Sequence, residues 1–428
     1  MNLTPGPSPQ GEGKQGKGGK MKIVIIGAGP AGVSVAETLR AHDKQSEIVM
    51  LSSEPYPPYS PPAMVDHFLT GSNAHLWRDQ GWPEQIAVDY RNGVEVRAIQ
   101  PDAHTIQLQD GSKLDYDRLV LATGGSLYAP LEGADLPGIY NFKSLSAAEA
   151  LVNKVKSREA SSAIVVGAGF IGMEIALLLC KLGIAVVQIE MLHQVMSAML
   201  DPETAGVAQA MLGQHGVDLR LNTKASAFVG NGQAKGVQLE SGDVLQADLL
   251  IAATGIKPNL KLLEGSRIAH NWGITVDEHL RTNIEDIYAA GDAVETADRL
   301  TGETYVHAIF PNAVEQGRIV GLNLAGIDIT YEGADRMNSL KHLGLPIMAV
   351  GLKSGDEVLR SRQNGHTRTI YLRDNHVVGF QLIGNINAAG ILRTLMIRCE
   401  NILPIKDRLL GPNFGQGALI WKAIAPYA

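Results

Sequence analysis

Apolar residues in this chain gather in short β-branched runs that break into glycine, each followed by residues at helical spacing. The first run lies in MKIVIIGAGPAGVSVAETL from Met21, where Ile23 to Ile26 reads as a parallel strand buried on both faces. Gly27, Gly29 and Gly32 interrupt it. A helix is predicted from Val33 to Ala41 and a second strand from Ile48 to Leu51. Prolines between Glu54 and Ala63 predict an extended, stiff loop rather than a helix. Strands follow at Val94 to Ile99 and Thr105 to Leu108, with Asp110-Gly111 as a turn. Another buried strand from Leu119 breaks into Ala122-Thr123-Gly124-Gly125.

The same order returns 140 positions later. Ala163 opens IVVGAGFIGMEIALLLCKLG, in which Gly167, Gly169 and Gly172 repeat the earlier spacing, and the next strand is Ala185 to Ile189. A helix is predicted from Glu203 to His215, and strands near Val217 to Leu221 and Val237 to Leu239. The repeat closes on Leu249 to Ala253, then Thr254-Gly255 and Pro258-Asn259. Ile284 to Ala290 runs into Gly291-Asp292, and a helix is expected from Asn312 to Ala325. From Arg336 the character changes to short strands (Ile347 to Val350, Thr367 to Leu372, His376 to Ile383) and a helix from Ala388 to Arg398. The predicted class is α/β. It divides into residues 21–135 with 270–335, residues 136–269, and a small α+β domain at 336–428.

Each repeat is a strand–turn–helix unit whose glycines serve different ends. The first allows the tight turn, the second lets the backbone approach a pyrophosphate, and the third lets helix and strand pack closely. The helix N-terminus, with free N–H groups and a positive dipole end, then faces the anion. An acid after the second strand would hold a ribose hydroxyl. In the first unit that candidate is Glu54, with a solvated loop glutamate as the alternative. In the second, Glu190 directly follows the strand, and its carboxylate favours NAD over NADP by repelling a 2′-phosphate. Asp292 ends a strand where ligands gather in open α/β sheets, and the Asn312 helix brings another positive dipole end to that cleft.

Length and composition narrow this picture. At 428 residues, roughly three domains are expected. The chain is 45% hydrophobic and 19% charged, as in globular proteins. Cys180 and Cys399 are its two cysteines. They cannot build a disulfide framework, an iron–sulfur cluster or a cysteine-rich zinc site from this chain alone, and they fit a reducing cytoplasm. Both read as structural thiols. No HxH or HxxxH pair occurs, so no metal is expected. Residues 1–20, rich in Pro, Gly, Lys and Gln, form no signal peptide and are expected to be a disordered leader. Ala163 to Cys180 is long and apolar, but its glycines and Glu174 argue against a membrane span. Net charge is −7 overall, while residues 336–428 hold 12 basic and 5 acidic residues, leaving −14 on residues 1–335. That split predicts an acidic docking partner; the alternative is pairing within the chain or with a second copy. No nucleic-acid motif accompanies it.

The two Gly-x-Gly-x-x-Gly units, Ala122-Thr123-Gly124, Ala253-Thr254-Gly255 with Pro258-Asn259, and Gly291-Asp292 stand in a telling order. Together they resemble the FAD-dependent pyridine nucleotide-disulfide oxidoreductase superfamily, from Met21 to the C-terminus. The resemblance is nearest to rubredoxin and ferredoxin reductases, the FAD–NAD part of nitrite reductases, and FAD subunits of multi-subunit aldehyde or 2-oxoacid oxidoreductases. It implies two Rossmann-like domains of the glutathione-reductase type. FAD would be held by Gly27, Gly29, Pro30, Ala31, Gly32, Glu54, Val96, Thr123, Gly124, Asp292 and Ala313, with Asp292 accepting from a ribityl hydroxyl. NAD would be held by Gly167, Gly169, Ile171, Gly172, Glu190 and Gly255. Glu174 would lie near the nicotinamide as the catalytic candidate, an assignment its polarity on an apolar helix also favours. The turn from Asn312 to Gln316 would lie by the flavin pyrimidine edge. Tyr56 and Tyr59 either flank the flavin or pack against the prolines.

One departure bears on function. Where relatives carry redox cysteines, this chain has Ser60-Pro-Pro-Ala-Met64-Val-Asp66, so thiol chemistry at the flavin is not expected. Ferredoxin-reductase relatives usually carry Arg and Lys in this stretch, the Lys often pairing with the glutamate that matches Glu174; here Pro61 and Asp66 stand instead. The resemblance implies hydride exchange between NAD(H) and FAD and single electrons to or from an iron–sulfur protein or subunit. Direct reduction of a small acceptor such as oxygen or a quinone is the alternative, and a degenerate FAD-binding scaffold a third reading. A homodimer or hetero-oligomeric complex is compatible with either enzyme.

Overall fold

The computed structural model describes residues 20–73, 77–411 and 414–415; the leader expected at 1–20 falls almost wholly outside them. Strand Lys22–Ile26 sits at the centre of a five-stranded sheet, flanked in parallel by Glu47–Leu51 and Arg118–Leu121, with Asp89–Arg91 and Ile287–Ala289 at the edges. Central position explains its composition: Ile23, Val24 and Ile25 are fully buried, so no face calls for a polar residue. The second sheet repeats the plan. Ser162–Val166 is central between Ala185–Ile189 and Leu249–Ala252, with Asp218–Arg220 and Ile139–Tyr140 outside.

The duplication extends to single hydrogen bonds. Gly27 N–H donates to Leu51 O and Ala122 N–H to Ile26 O; Gly167 N–H donates to Ile189 O and Ala253 N–H to Val166 O, each at 2.8 Å. Each sheet also carries a three-stranded antiparallel appendage, at residues 96–115 and 225–246. The two units are tied where their glycine endings cross. Gly125–Leu127 pairs antiparallel with Ile256–Pro258, and Asn259 Nδ2 donates to Thr123 O at 2.8 Å.

Helix Pro30–His42 packs along helix Phe310–Leu324. Contact is so close that a Cβ on Gly317 would stand 2.3 Å from Ala31 O, so a glycine is required there. The second helix begins two residues before the expected Asn312, because Pro311 suits a first turn whose N–H groups are unpaired anyway. The proline loop departs from expectation at its end: Pro61–Ala63 is a 3₁₀ turn leading into helix Met64–Thr70. Proline disfavours only helix interiors, and here it occupies the opening turn. Residues 337–383 form a five-stranded antiparallel sheet backed by helix Ala389–Ile397.

Candidate active site

A cavity of about 960 Å³ opens between the two sheets and the C-terminal unit, at the upper end of the volumes that bury a ligand. The Gly27–Ala31 turn forms part of its wall. Gly27 has φ +112°, and a Cβ there would stand 2.0 Å from Ala122 O; Gly32, off the cavity wall, likewise faces Gly27 O. Gly29 differs: its φ is −75°, and nothing lies within 4 Å of the Cβ position. Helix Pro30–His42 has no side-chain cap and no acid in its first turn, so its N-terminus is left for an external anion.

Glu54, Val96, Thr123, Gly124, Asp292 and Ala313 also line this cavity. Glu54 is tied internally, accepting from Tyr59 Oη at 2.5 Å and Ser146 Oγ at 2.9 Å. Tyr59 in turn accepts from Leu145 N–H, while Tyr56 donates to Glu149. Both tyrosines border the cavity, fixed to neighbouring elements rather than merely packed on proline. Asp292 accepts from Lys143 Nζ at 2.7 Å, a partner the sequence did not reveal. Gln316 was missed as well: its Oε1 accepts from Gly291 N–H at 2.7 Å and holds the Gly-Asp turn. The Asn312 side chain exchanges hydrogen bonds with the Asp335 backbone. The uncapped start of Phe310–Leu324 nevertheless faces the cavity through Ile309, Phe310, Pro311 and Ala313.

From the second unit come Ile171 and Glu174. Glu174 is buried, and burial pushes its carboxyl up to about 7; Asp66 adds to the rise and a hydrogen bond from the Lys341 backbone opposes it. Gly167, Gly169, Gly172, Glu190 and Gly255 are not part of this wall and belong to the second fingerprint's own turn and crossing. There Gly169 repeats the conformation of Gly29, with φ −75° and ψ −176°, and the helix is again uncapped. Glu190 Oε2 accepts from Ala168 N–H at 2.8 Å and Oε1 from Leu192 N–H at 3.0 Å, so its carboxylate is held by the backbone beside that turn.

Part of the cationic surplus of residues 336–428 is engaged within the chain, the alternative to a free docking face. Arg360 binds Asp201 and Glu203, Arg362 binds Glu203, Arg336 binds Asp298, and Arg393 binds Asp335. Arg368 donates to Leu409 O and Gly411 O. Arg336, Arg360, Arg362 and Arg393 join the C-terminal unit to the rest of the chain, whereas Arg368 bonds within that unit. Among the described residues, no helix is long and apolar enough to cross a membrane.

The profile of the pyridine nucleotide-disulphide oxidoreductase family matches residues 21–317, the stretch that builds both nucleotide turns and most of the cavity. The chain belongs to this family. It is an NAD(H)-dependent flavoprotein oxidoreductase with FAD and NAD(H) as cofactors. It is 29% identical to the epsilon subunit of NADH-dependent phenylglyoxylate dehydrogenase from Aromatoleum evansii, over 92% of this chain and 96% of that one. It is 30% identical to an NADH oxidase from Methanocaldococcus jannaschii, over 88% and 90%. Among solved structures, the covalent complex of putidaredoxin reductase with putidaredoxin superposes with a TM-score of 0.82 at 25% identity, covering 96% of this chain and all of the reductase.

Neither cysteine lines the cavity: Cys180 is half-buried in the second unit's helix and Cys399 is exposed in the C-terminal unit. The double variant Cys180→Ser, Cys399→Ser is therefore expected to keep wild-type NADH-dependent flavin reduction, followed anaerobically by the loss of flavin absorbance. Loss of that step in a folded variant would assign a thiol to turnover.

Proposed function

We propose that this flavoprotein passes electrons between NAD(H) and an iron–sulfur protein or subunit. One observation carries the reading: a single cavity joins the first fingerprint to Glu174 of the second unit, with no cysteine in its wall. Bound FAD supplies one chemistry there, exchange of an electron pair with NAD(H) and of single electrons with the acceptor. Without a thiol beside it, the electrons have no disulfide to enter. Two of the relatives fit this reading, one a subunit of a 2-oxoacid dehydrogenase and one a reductase in complex with putidaredoxin. Residues 21–135 with 270–335 would bind FAD, residues 136–269 NAD(H), and residues 336–428 would complete the cavity wall.

The chain's own residues divide the work. The Gly29–Pro30 and Gly169–Phe170 helix starts receive the two pyrophosphates through unpaired N–H groups. Asp292 receives a ribityl hydroxyl, with Lys143 holding the carboxylate in place. Glu174, buried and close to neutral, lies where the nicotinamide would enter.

Anaerobic reduction with NADH, then reoxidation by a [2Fe–2S] ferredoxin or by oxygen, tests the reading. Faster reoxidation by the iron–sulfur protein is expected; faster reoxidation by oxygen would favour the oxidase reading that the Methanocaldococcus relative represents.

Glu190 sets the nucleotide. A fixed carboxylate beside a 2′-phosphate disfavours NADPH by a few kcal/mol, so NADH is expected to be preferred by roughly tenfold or more in kcat/KM. Glu190→Ala should narrow that gap, and equal kcat/KM for both nucleotides in the wild type would refute the assignment.

A further inference from the structure

Three acid–base side chains from three separate parts of the chain meet beside the cavity, two of them in its wall. Glu174 comes from helix Phe170–Lys181, Asp66 from helix Met64–Thr70, and His342 from the turn after strand Met337–Leu340. His342 Nε2 lies 3.6 Å from Glu174 Oε2 and 3.4 Å from Asp66 Oδ1. Such spacings close to hydrogen bonds with a small ring movement, as apo acid–base sites commonly require.

Exposure gives the cluster a direction. Glu174 and His342 line the cavity with side chains only 10% and 14% exposed, whereas Asp66 is 44% exposed. One imidazole nitrogen thus stands between an interior carboxyl and a carboxylate that reaches solvent. Lys181 Nζ donates to His342 O at 3.4 Å and fixes the turn. The other charged neighbour is Lys341, whose backbone N–H bonds Glu174. Burial lowers the His342 imidazole, and Asp66 acts against that fall.

Proton balance supplies the need for such a path. Oxidation of NADH by one-electron acceptors yields NAD⁺, two electrons and one proton; the acceptors take the electrons and leave the proton in the cavity. Resting on the function proposed above, we infer that Glu174, His342 and Asp66 form the proton exit. Glu174 takes the proton at the cavity and passes it to His342 Nε2. The ring then turns and Nε2–H donates to Asp66, which releases the proton to solvent. In the reverse direction of electron flow the same path delivers the proton. His342 and Asp66 are relay residues.

The first test needs no cofactor. In ¹⁵N-histidine-labelled apoprotein, Asp66→Asn should lower the His342 titration midpoint, by about one pH unit for groups coupled this closely. A wild-type midpoint in this variant would overturn the relay. The second test uses FAD-loaded protein and ferricyanide, an inorganic one-electron oxidant. In His342→Gln, NADH should reduce the flavin at the wild-type rate. Reoxidation, and proton release read with an indicator dye, should slow about tenfold and recover with added imidazole. Reoxidation at the wild-type rate, or a slowing that imidazole does not relieve, would overturn the proposal. Because ferricyanide requires no protein partner, failure of iron–sulfur proteins to accept electrons would count against the proposed function and leave the relay result standing.

Discussion

Gly27→Ala is expected to destabilise the first nucleotide-binding unit by about 3–5 kcal/mol and to yield protein largely lacking FAD. Two costs combine. A φ of +112° is strained for any residue with a Cβ, and the added carbon would meet Ala122 O at 2.0 Å. Neither the central strand nor the Ala122 strand can retreat, because Ala122 N–H already donates to Ile26 O at 2.8 Å. Against a typical domain stability of about 5–15 kcal/mol this loss is large. Gly29→Ala is the informative control. Its backbone conformation is open to alanine and its Cβ position is empty, so the fold should be unaffected. The new methyl would nonetheless occupy the space where the pyrophosphate approaches, and FAD affinity should drop about tenfold, equivalent to about 1.4 kcal/mol. Thermal unfolding of apoprotein and flavin content after purification separate the two effects. Wild-type stability and FAD content in Gly27→Ala would show that the turn is not built as described.

Glu174→Gln is expected to raise apoprotein stability at pH 8 by roughly 3 kcal/mol relative to its effect at pH 4. The folded-state carboxyl is pushed up to about 7 from an ordinary 4.5, chiefly by burial. Folding therefore favours the protonated form. The contribution is fully present below pH 4.5 and is lost as pH rises through 7, where the buried group must ionise or drive unfolding. Glutamine keeps the shape without the charge and removes that part of the pH dependence. Denaturant unfolding of both proteins across this range gives the comparison directly. A difference between them that stays constant with pH would mean that the Glu174 carboxyl titrates alike in the folded and unfolded chain, with no shift from burial.

Much of the fold was legible because its signals are local. A strand buried on both faces must be apolar throughout, and a turn with φ +112° must be glycine, so each fingerprint could be read from a dozen consecutive residues. The strands Ala185–Ile189 and His376–Ile383 were placed residue for residue. Helix Leu145–Lys156 and strand Glu357–Gln363 went unread: the first is announced by Pro137-Gly138 and by a Ser144 cap that were not used, and the second is exposed along much of its length, so its apolar pattern is weak.

The sequence by itself determined the two nucleotide turns, the absence of a redox cysteine before Asp66, and the acid that ends the second unit's strand. All of these depend on backbone geometry or on residue identity at one place in the chain. Only the tertiary structure decided which side chains meet. Lys143 reaches Asp292, Gln316 holds Gly291, and His342 stands between Asp66 and Glu174, partners far apart in sequence that leave no local imprint. Charge shows the same division. Summation along residues 336–428 gives a basic domain, but a sum carries no direction, and the fold turns Arg360 and Arg362 onto Asp201 and Glu203 of the same chain. Coulombic pairing depends on distance between groups, and that distance is fixed only when the separate units pack together.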